Sequence, residues 1–450
     1  MSDTPGLVRS SVKGMLWPGL PSNGVTLAMQ YQLEQSQWWS AGQLEQHQLK
    51  QLSLLLRHAY RQIPFWRERL EGAGYGPEER PTSQWLSTLP LLDRHDIQTL
   101  GDSLLCKEVP RGHGRITKGE TSGSTGRPIV HYGTELTQFF WRVYTLRDHL
   151  WHRRDLSATL AAIRKNAQEA PRKGWGPATD VAFEAGMGLG FDLKNDIDTQ
   201  LRWLQRTKPE YLITAAYNLY WLARRSLELG VRIPNLRQVR CFGGTFPDDA
   251  RRVIREAWGV PLVDIYTSEE AGYIALQCPD HEHYHVQSEN LIVEILDDRG
   301  KACAPGEIGR IVFTHLHNFA MPLFRYAIGD HAEAGAPCAC GRGLPVIKRI
   351  LGRQRNILTL PDGRRRWPSF PGGKWMHLAP IRQLQMIQRS RTRIDVRVAA
   401  DRELTQEEKQ RLIAALQDCL GHPFEMQVEQ FPDIPRSASH KFEDFISEIV

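Results

Sequence analysis

Between residues 117 and 270 short apolar runs alternate with helical stretches, and no other feature restricts the fold of this chain as much. Glu210-Tyr211-Leu212-Ile213 runs into a helical pattern from Asn218 to Leu229, and Val260-Pro261-Leu262-Val263-Asp264-Ile265 leads to Tyr266. Strands alternating with helices predict an α/β sheet whose ligand loops sit at the strand ends. From Leu291 to Phe313 the pattern shifts to strands around the turn Asp297-Asp298-Arg299-Gly300. Upstream, Leu49, Leu52, Leu56, Ala59 and Ile63 recur at spacings of three and four in a helix from Gln43. Pro64 interrupts that helix, and Phe65 with Trp66 seals it to the core.

At 450 residues the chain exceeds one ordinary core, which predicts a large domain with a smaller companion. The boundary falls near Leu351-Gly352-Arg353-Gln354-Arg355-Asn356, where the composition turns more charged, giving domains 1–352 and 353–450. The tail has a pattern of its own. Ile394, Val396 and Val398 alternate as a half-buried strand, and Thr405 with Glu408 forms a capping box. Ile413, Leu416 and Leu420 share a helix face, Gly421 stops that helix, and a strand from Phe424 to Val428 completes an α+β unit.

The run Thr121-Ser122-Gly123-Ser124-Thr125-Gly126-Arg127-Pro128 packs four hydroxyls and two glycines into six residues. Glycines let backbone N–H groups turn towards a ligand and hydroxyls add donors, so the loop suits phosphate oxygens; a Ser/Gly surface turn is the other reading. No Gly-Lys-Ser/Thr closes it, so it is not a Walker loop. Hydrophobic content of 41% and charged content of 24% are those of a soluble globular protein. The net charge of +6 suits an anionic small molecule, and no Lys/Arg tract argues for nucleic acid. No apolar run approaches ~20 residues and the N-terminus lacks a leader pattern, so a cytoplasmic protein without a membrane span is expected. Its seven cysteines are then reduced thiols or metal ligands.

Five further stretches follow that loop. They are Cys241-Phe242-Gly243-Gly244-Thr245, Tyr266-Thr267-Ser268-Glu269-Glu270-Ala271-Gly272, Phe324-Arg325-Tyr326-Ala327-Ile328-Gly329-Asp330, Gly352-Arg353 and Pro435-Arg436-Ser437-Ala438-Ser439-His440-Lys441. In this order, and over nearly the whole chain, they resemble the phenylacetate-CoA ligase family of the adenylate-forming, AMP-binding acyl-CoA synthetase superfamily. The resemblance implies a large N-terminal adenylate-forming domain of α/β layers and a small, mobile C-terminal α+β domain. It also implies a ligase that uses ATP and Mg2+ to turn an organic acid, of aryl or arylacetic type, into an acyl-adenylate and then passes the acyl group to CoA.

By the same resemblance, Thr121, Ser122, Gly123, Ser124, Thr125 and Gly126 grip the departing phosphates. Gly243, Gly244 and Thr245 lie against adenine, Tyr266 stacks on it, and Thr267 and Ser268 stand beside it. Glu270 ligates Mg2+, a hard cation suited to carboxylate oxygens. Asp330 accepts from the ribose hydroxyls, Arg353 adds a donor fork, and Lys441 neutralises charge at the α-phosphate. Three positions depart from the family: His440 replaces a glycine, Arg355 an acidic residue or lysine, and Glu269 a threonine. These departures bear on the second half-reaction and its domain rotation. They leave open an acceptor other than CoA (an amine, a hydroxyl or a carrier protein) and a degenerate nucleotide-binding homologue.

Cys278, His281, Cys338 and Cys340 form an acceptable tetrahedral zinc set, with His283 as an alternative fourth ligand and unrelated thiols as the competing reading. His285 reads as a pocket-wall or core histidine. His131, Tyr132, Phe140, Trp141 and Phe242 supply an acyl pocket or, equally, core aromatics. Arg364-Arg365-Arg366 meets CoA phosphates or forms a solvated hairpin face. A homodimer is a further expectation.

Overall fold

The computed structural model describes residues 21–120, 129–353, 356–368, 370, 375–434 and 444–449. A 12-stranded sheet organises the large domain. Its parallel half holds, in spatial order, Leu262–Ser268, Gln238–Phe242, Tyr211–Ala215, Leu160–Arg164 and Met187–Asp192. Every residue of Tyr211–Ala215 is buried, as expected of a parallel strand with helices on its faces. Two helices show why the sequence folds this way. Ala250–Trp258 turns Val253, Ile254, Ala257 and Trp258 inward, and Ala216–Leu229, two residues longer at its start than the periodicity suggested, ends on the left-handed Gly230.

Beyond Leu262–Ser268 the sheet continues through antiparallel strands to an edge at Leu291–Leu296, which pairs with Ile308–His315 around the predicted turn. The helix Ala41–Gln62 starts with a capping box from Ser40 and Gln43, and Pro64 opens a second helix, Pro64–Gly72. Trp66 is fully buried there, and its indole N–H donates to the Pro322 carbonyl at 3.1 Å. Among the described residues no helix is long and apolar enough to cross a membrane.

The C-terminal part is a four-stranded sheet in the order Glu425–Phe431, Arg393–Ala400, Ile381–Gln388 and Phe445–Ser447, packed by the helix Gln406–Leu420. Leu412, Leu416 and Leu420 form its buried seam, while Ile413 is only half-buried. A strict spacing of four selects Leu412 over its neighbour. The Arg364–Arg366 run lies at a short hairpin: Arg364 pairs with Asp362 at 2.7 Å, and Arg366 donates to the Leu420 carbonyl at the end of that helix.

Candidate active site

The carboxyl ends of the parallel strands place Arg164, Ala215, Phe242 and Ser268 on one wall of a cleft of about 1420 Å³. Ligands in open α/β sheets bind at this end, because the loops leaving the strands diverge there. Asn356, Trp367, Phe370 and Phe445, from the C-terminal part, close the other side.

Tyr266, Thr267, Ser268, Glu269 and Glu270 follow one another along the cleft wall. The strand ends in a tight turn, where the Ser268 hydroxyl accepts the Ala271 N–H at 3.1 Å and Gly272 takes φ +72°. A side chain at 272 would be strained there and would meet the Trp141 ring at 3.4 Å. Glu270, buried on that turn, turns a hard oxygen donor towards the cleft, a chemistry that fits Mg2+.

Asp330 is the hub of the site. Its Oδ2 accepts the Tyr266 hydroxyl at 2.7 Å, and Arg353 Nε lies 3.4 Å from Oδ1. Sheet register produces this pairing, since Asp330 and Arg353 are opposed on neighbouring strands. Burial first, and then the Asp330 charge, pushes the Tyr266 phenol well above its usual range, so it stays a donor. Each Asp330 oxygen keeps a further lone pair for a sugar hydroxyl. Gly243, at φ +70°, turns the chain out of its strand, and Gly352, at φ +97°, has no room for a Cβ without pressing to 3.2 Å from Thr245 Cγ2. Asn356 accepts the Arg353 N–H at 3.2 Å and donates to the Phe445 carbonyl at 2.7 Å. Asn356 thereby links the end of the strand Val346–Arg353 to the C-terminal strand Phe445–Ser447.

Of the predicted acyl-pocket aromatics, the cleft wall contains Trp141 and Phe242 but not His131, Tyr132 or Phe140. The Tyr132 hydroxyl donates to Asp102 at 2.7 Å, and the His131 ring covers Gly119 across a hairpin. Phe140 stacks on His317 at 4.5 Å within the core. Helix geometry decides this: along Glu135–Trp151, residues 141, 145 and 149 face the cleft, while 140, 144, 147 and 151 face the core.

Arg240 and Tyr273 of the cleft wall, with the buried Asp148 and Arg154 behind Arg240, escaped the sequence reading. Arg240 and Arg154 both reach the fully buried Asp148, at 2.9 and 2.6 Å from Oδ2, and Arg240 also donates to the Tyr273 hydroxyl at 3.1 Å. Burial alone would raise the Asp148 pKa, but the two guanidinium groups overrule it and hold the carboxyl well below its usual range. The available signal was Arg147-Asp148-His149, three consecutive polar residues set between Leu146 and Leu150-Trp151.

The cysteine and histidine set differs from the expected one. Cys278, His283, His285 and Cys338 place one ligand atom each within 4.8 Å of one another, and His281 is not among them. Cys278 and Cys338 sulfurs are 3.9 Å apart, and Cys340 Sγ is 3.5 Å from His285 Nε2. Residues 283 and 285 flank position 284 at the spacing that shares one side of a strand, which brings in His285 and leaves His281 in the preceding turn. The His283 Nε2 is buried without a hydrogen-bond partner, and burial holds His285 neutral, down to about 3. Thiols and neutral imidazoles at this spacing fit a zinc ion. Thr121 to Pro128, Arg355, His440 and Lys441 lie outside the described residues.

Residues 375–448 match the CapK C-terminal domain. The chain is 24% identical over 344 residues to a phenylacetate-coenzyme A ligase of Pseudomonas putida, covering 71% of this chain and 73% of that protein. It is 26% identical over 339 residues to the phenylacetate-coenzyme A ligase of Thermus thermophilus, covering 70% and 71%. The backbone is similar to that of a 2-hydroxyisobutyryl-CoA ligase in the postadenylation state in complex with R3-HIB-AMP, with TM-score 0.72, 17% identity and 92% of each chain covered. The chain is thus similar in sequence to phenylacetate-coenzyme A ligases over about 70% of its length, and in backbone to a 2-hydroxyisobutyryl-CoA ligase over nearly all of it.

Proposed function

We propose that the cleft activates a carboxylic acid with ATP and transfers the acyl group to CoA. The observation that carries this reading is Asp330, bonded to Tyr266 and Arg353 beside Gly243, Gly244, Thr245 and Glu270 in one cleft. A nucleoside needs just such a set: a two-oxygen acceptor for the ribose diol, a flat glycine strip for the base, and a carboxylate for the phosphate-bound cation. In this reading the acid's carboxylate oxygen attacks the α-phosphorus and the bond to pyrophosphate breaks. The thiol of CoA then attacks the acyl carbon and AMP leaves. Thr121 to Gly126 grip the pyrophosphate, Glu270 holds Mg2+, and Lys441 balances charge at the α-phosphate. The small domain moves between the two steps about the Gly352–Arg353 hinge. Aryl and arylacetic acids are the first substrates to try.

Incubation with Mg-ATP, CoA and a panel of acids is expected to give acid-dependent pyrophosphate and AMP, with loss of free thiol. Acid-dependent AMP that forms equally well without CoA would remove the ligase reading, and absence of pyrophosphate with every acid would remove the adenylation reading as well.

The same chain holds Zn2+, in our reading, through Cys278, Cys338 and the His283/His285 pair, with Cys340 beside them. A closed set of this kind is structural, joining the loop before Tyr284–Val286 to the segment around Cys338. Metal analysis is expected to find about one zinc per chain, and chelation to lower the Tm by a few degrees. A zinc-free preparation with an unchanged Tm on chelation would be incompatible with it.

A further inference from the structure

Besides the Gly243–Thr245 strip, the cleft wall carries a group of cations. They are Arg164, Lys165, Arg172 and Arg240, together with Trp141, Phe242 and Trp175. The cations are not equivalent. Arg240 is paired with Asp148, and Arg172 donates to the Trp175 carbonyl at 2.7 Å. Arg164 is exposed at the carboxyl end of its strand, and its guanidinium lies 5.5 Å from the centroid of the Phe242 ring. Among the described residues no carboxylate stands among its electrostatic partners, which are Arg240, Tyr273 and Arg172. Solvent reaches the Arg164 side chain through the cleft, yet protein crowds it: desolvation, then repulsion from Arg240, lowers its pKa below the usual arginine range.

A purely apolar acyl group would lie against this guanidinium without compensating it. A substrate with a negative charge at its far end would supply the missing counterion, with its body between Trp141 and Phe242. We propose, resting on the adenylating reading above, that the acid is a dicarboxylic one: one carboxylate is activated and the second is bound by Arg164, with Arg172 alongside. Arg164 is then the specificity-determining residue. Asp148 acts only by holding Arg240 in place.

Binding measured by calorimetry in the presence of AMP, on the full chain, separates this inference from turnover. The probes are matched pairs, phenylacetate against 4-carboxyphenylacetate and hexanoate against adipate. Wild type is expected to bind the diacid of each pair at least about tenfold more tightly, and Arg164→Met to erase that ratio, with Arg164→Lys restoring part of it. Equal affinity for both members of each pair, or binding of neither, would overturn the inference. So would an Arg164→Met variant that weakens both members equally, or one whose only loss is in CoA affinity. Diacid binding with the expected ratio but no AMP formation would instead leave the inference standing and remove the proposed function.

Discussion

Asp330→Ala is expected to raise the KM for ATP about 100-fold while leaving kcat for acid-dependent AMP formation much closer to wild type. In the proposed reading the carboxylate would contact the ribose, a part of the nucleotide that does not react, so its loss would remove binding common to the ground and transition states. The size follows from two losses. Hydrogen bonds to a charged acceptor contribute about 1.5–3 kcal/mol each, and the change also takes away the acceptor that the Tyr266 hydroxyl and the Arg353 guanidinium now share at 2.7 and 3.4 Å. Tyr266→Phe should cost less, because the phenol orients the carboxylate without replacing it. The double variant should be less impaired than the sum of the two, since the groups touch. Steady-state kinetics with ATP as the varied substrate decides the matter. An unchanged KM in Asp330→Ala would place the nucleotide elsewhere.

Asp148→Ala is expected to destabilise the fold by about 3–5 kcal/mol at neutral pH. One carboxylate with no solvent exposure serves two guanidinium groups, each almost fully buried, so its removal leaves Arg154 and Arg240 as uncompensated charges. Neighbouring His149 adds no anion, and burial keeps it neutral. The pH dependence has a definite sign. The folded Asp148 pKa is depressed, so its stabilisation is fully present above the ordinary carboxylate pKa of about 4 and is lost as the pH falls below that value towards the folded pKa. Urea unfolding at pH 7 and at pH 3 should therefore show a gap between wild type and Asp148→Asn that narrows in acid. A gap that stays constant, or an Asp148→Ala variant as stable as wild type at pH 7, would contradict this account.

Much of the site was readable because its parts are local. Gly243-Gly244-Thr245, the turn from Ser268 to Gly272 and the Gly352 hinge are contiguous strings whose backbone demands, positive φ or close approach, can be met by few residue types. Their order along the chain carried the family resemblance. The cationic part of the cleft wall was different. Arg164, Arg240, Tyr273 and His149 come from four separate elements and are neighbours only because of strand order in the sheet. The sequence left Phe140 and Trp141 alike as pocket or core aromatics, and a step of one residue along their helix is the difference between the core and the cleft. The histidines beside the thiols are a similar case: His281, His283 and His285 are equivalent in spacing terms until strand alternation separates them.

The sequence by itself determined the α/β class, the two-part organisation and the short strings around Gly243, Ser268 and Gly352 that line the cleft, because propensity, patterning and tight turns act over a few residues. Tertiary structure alone decided which carboxylate meets which arginine, which histidine lies beside the thiols and which aromatic ring stands next to Arg164. Those outcomes depend on long-range register and on burial, which sets the strength of every charge in the cleft.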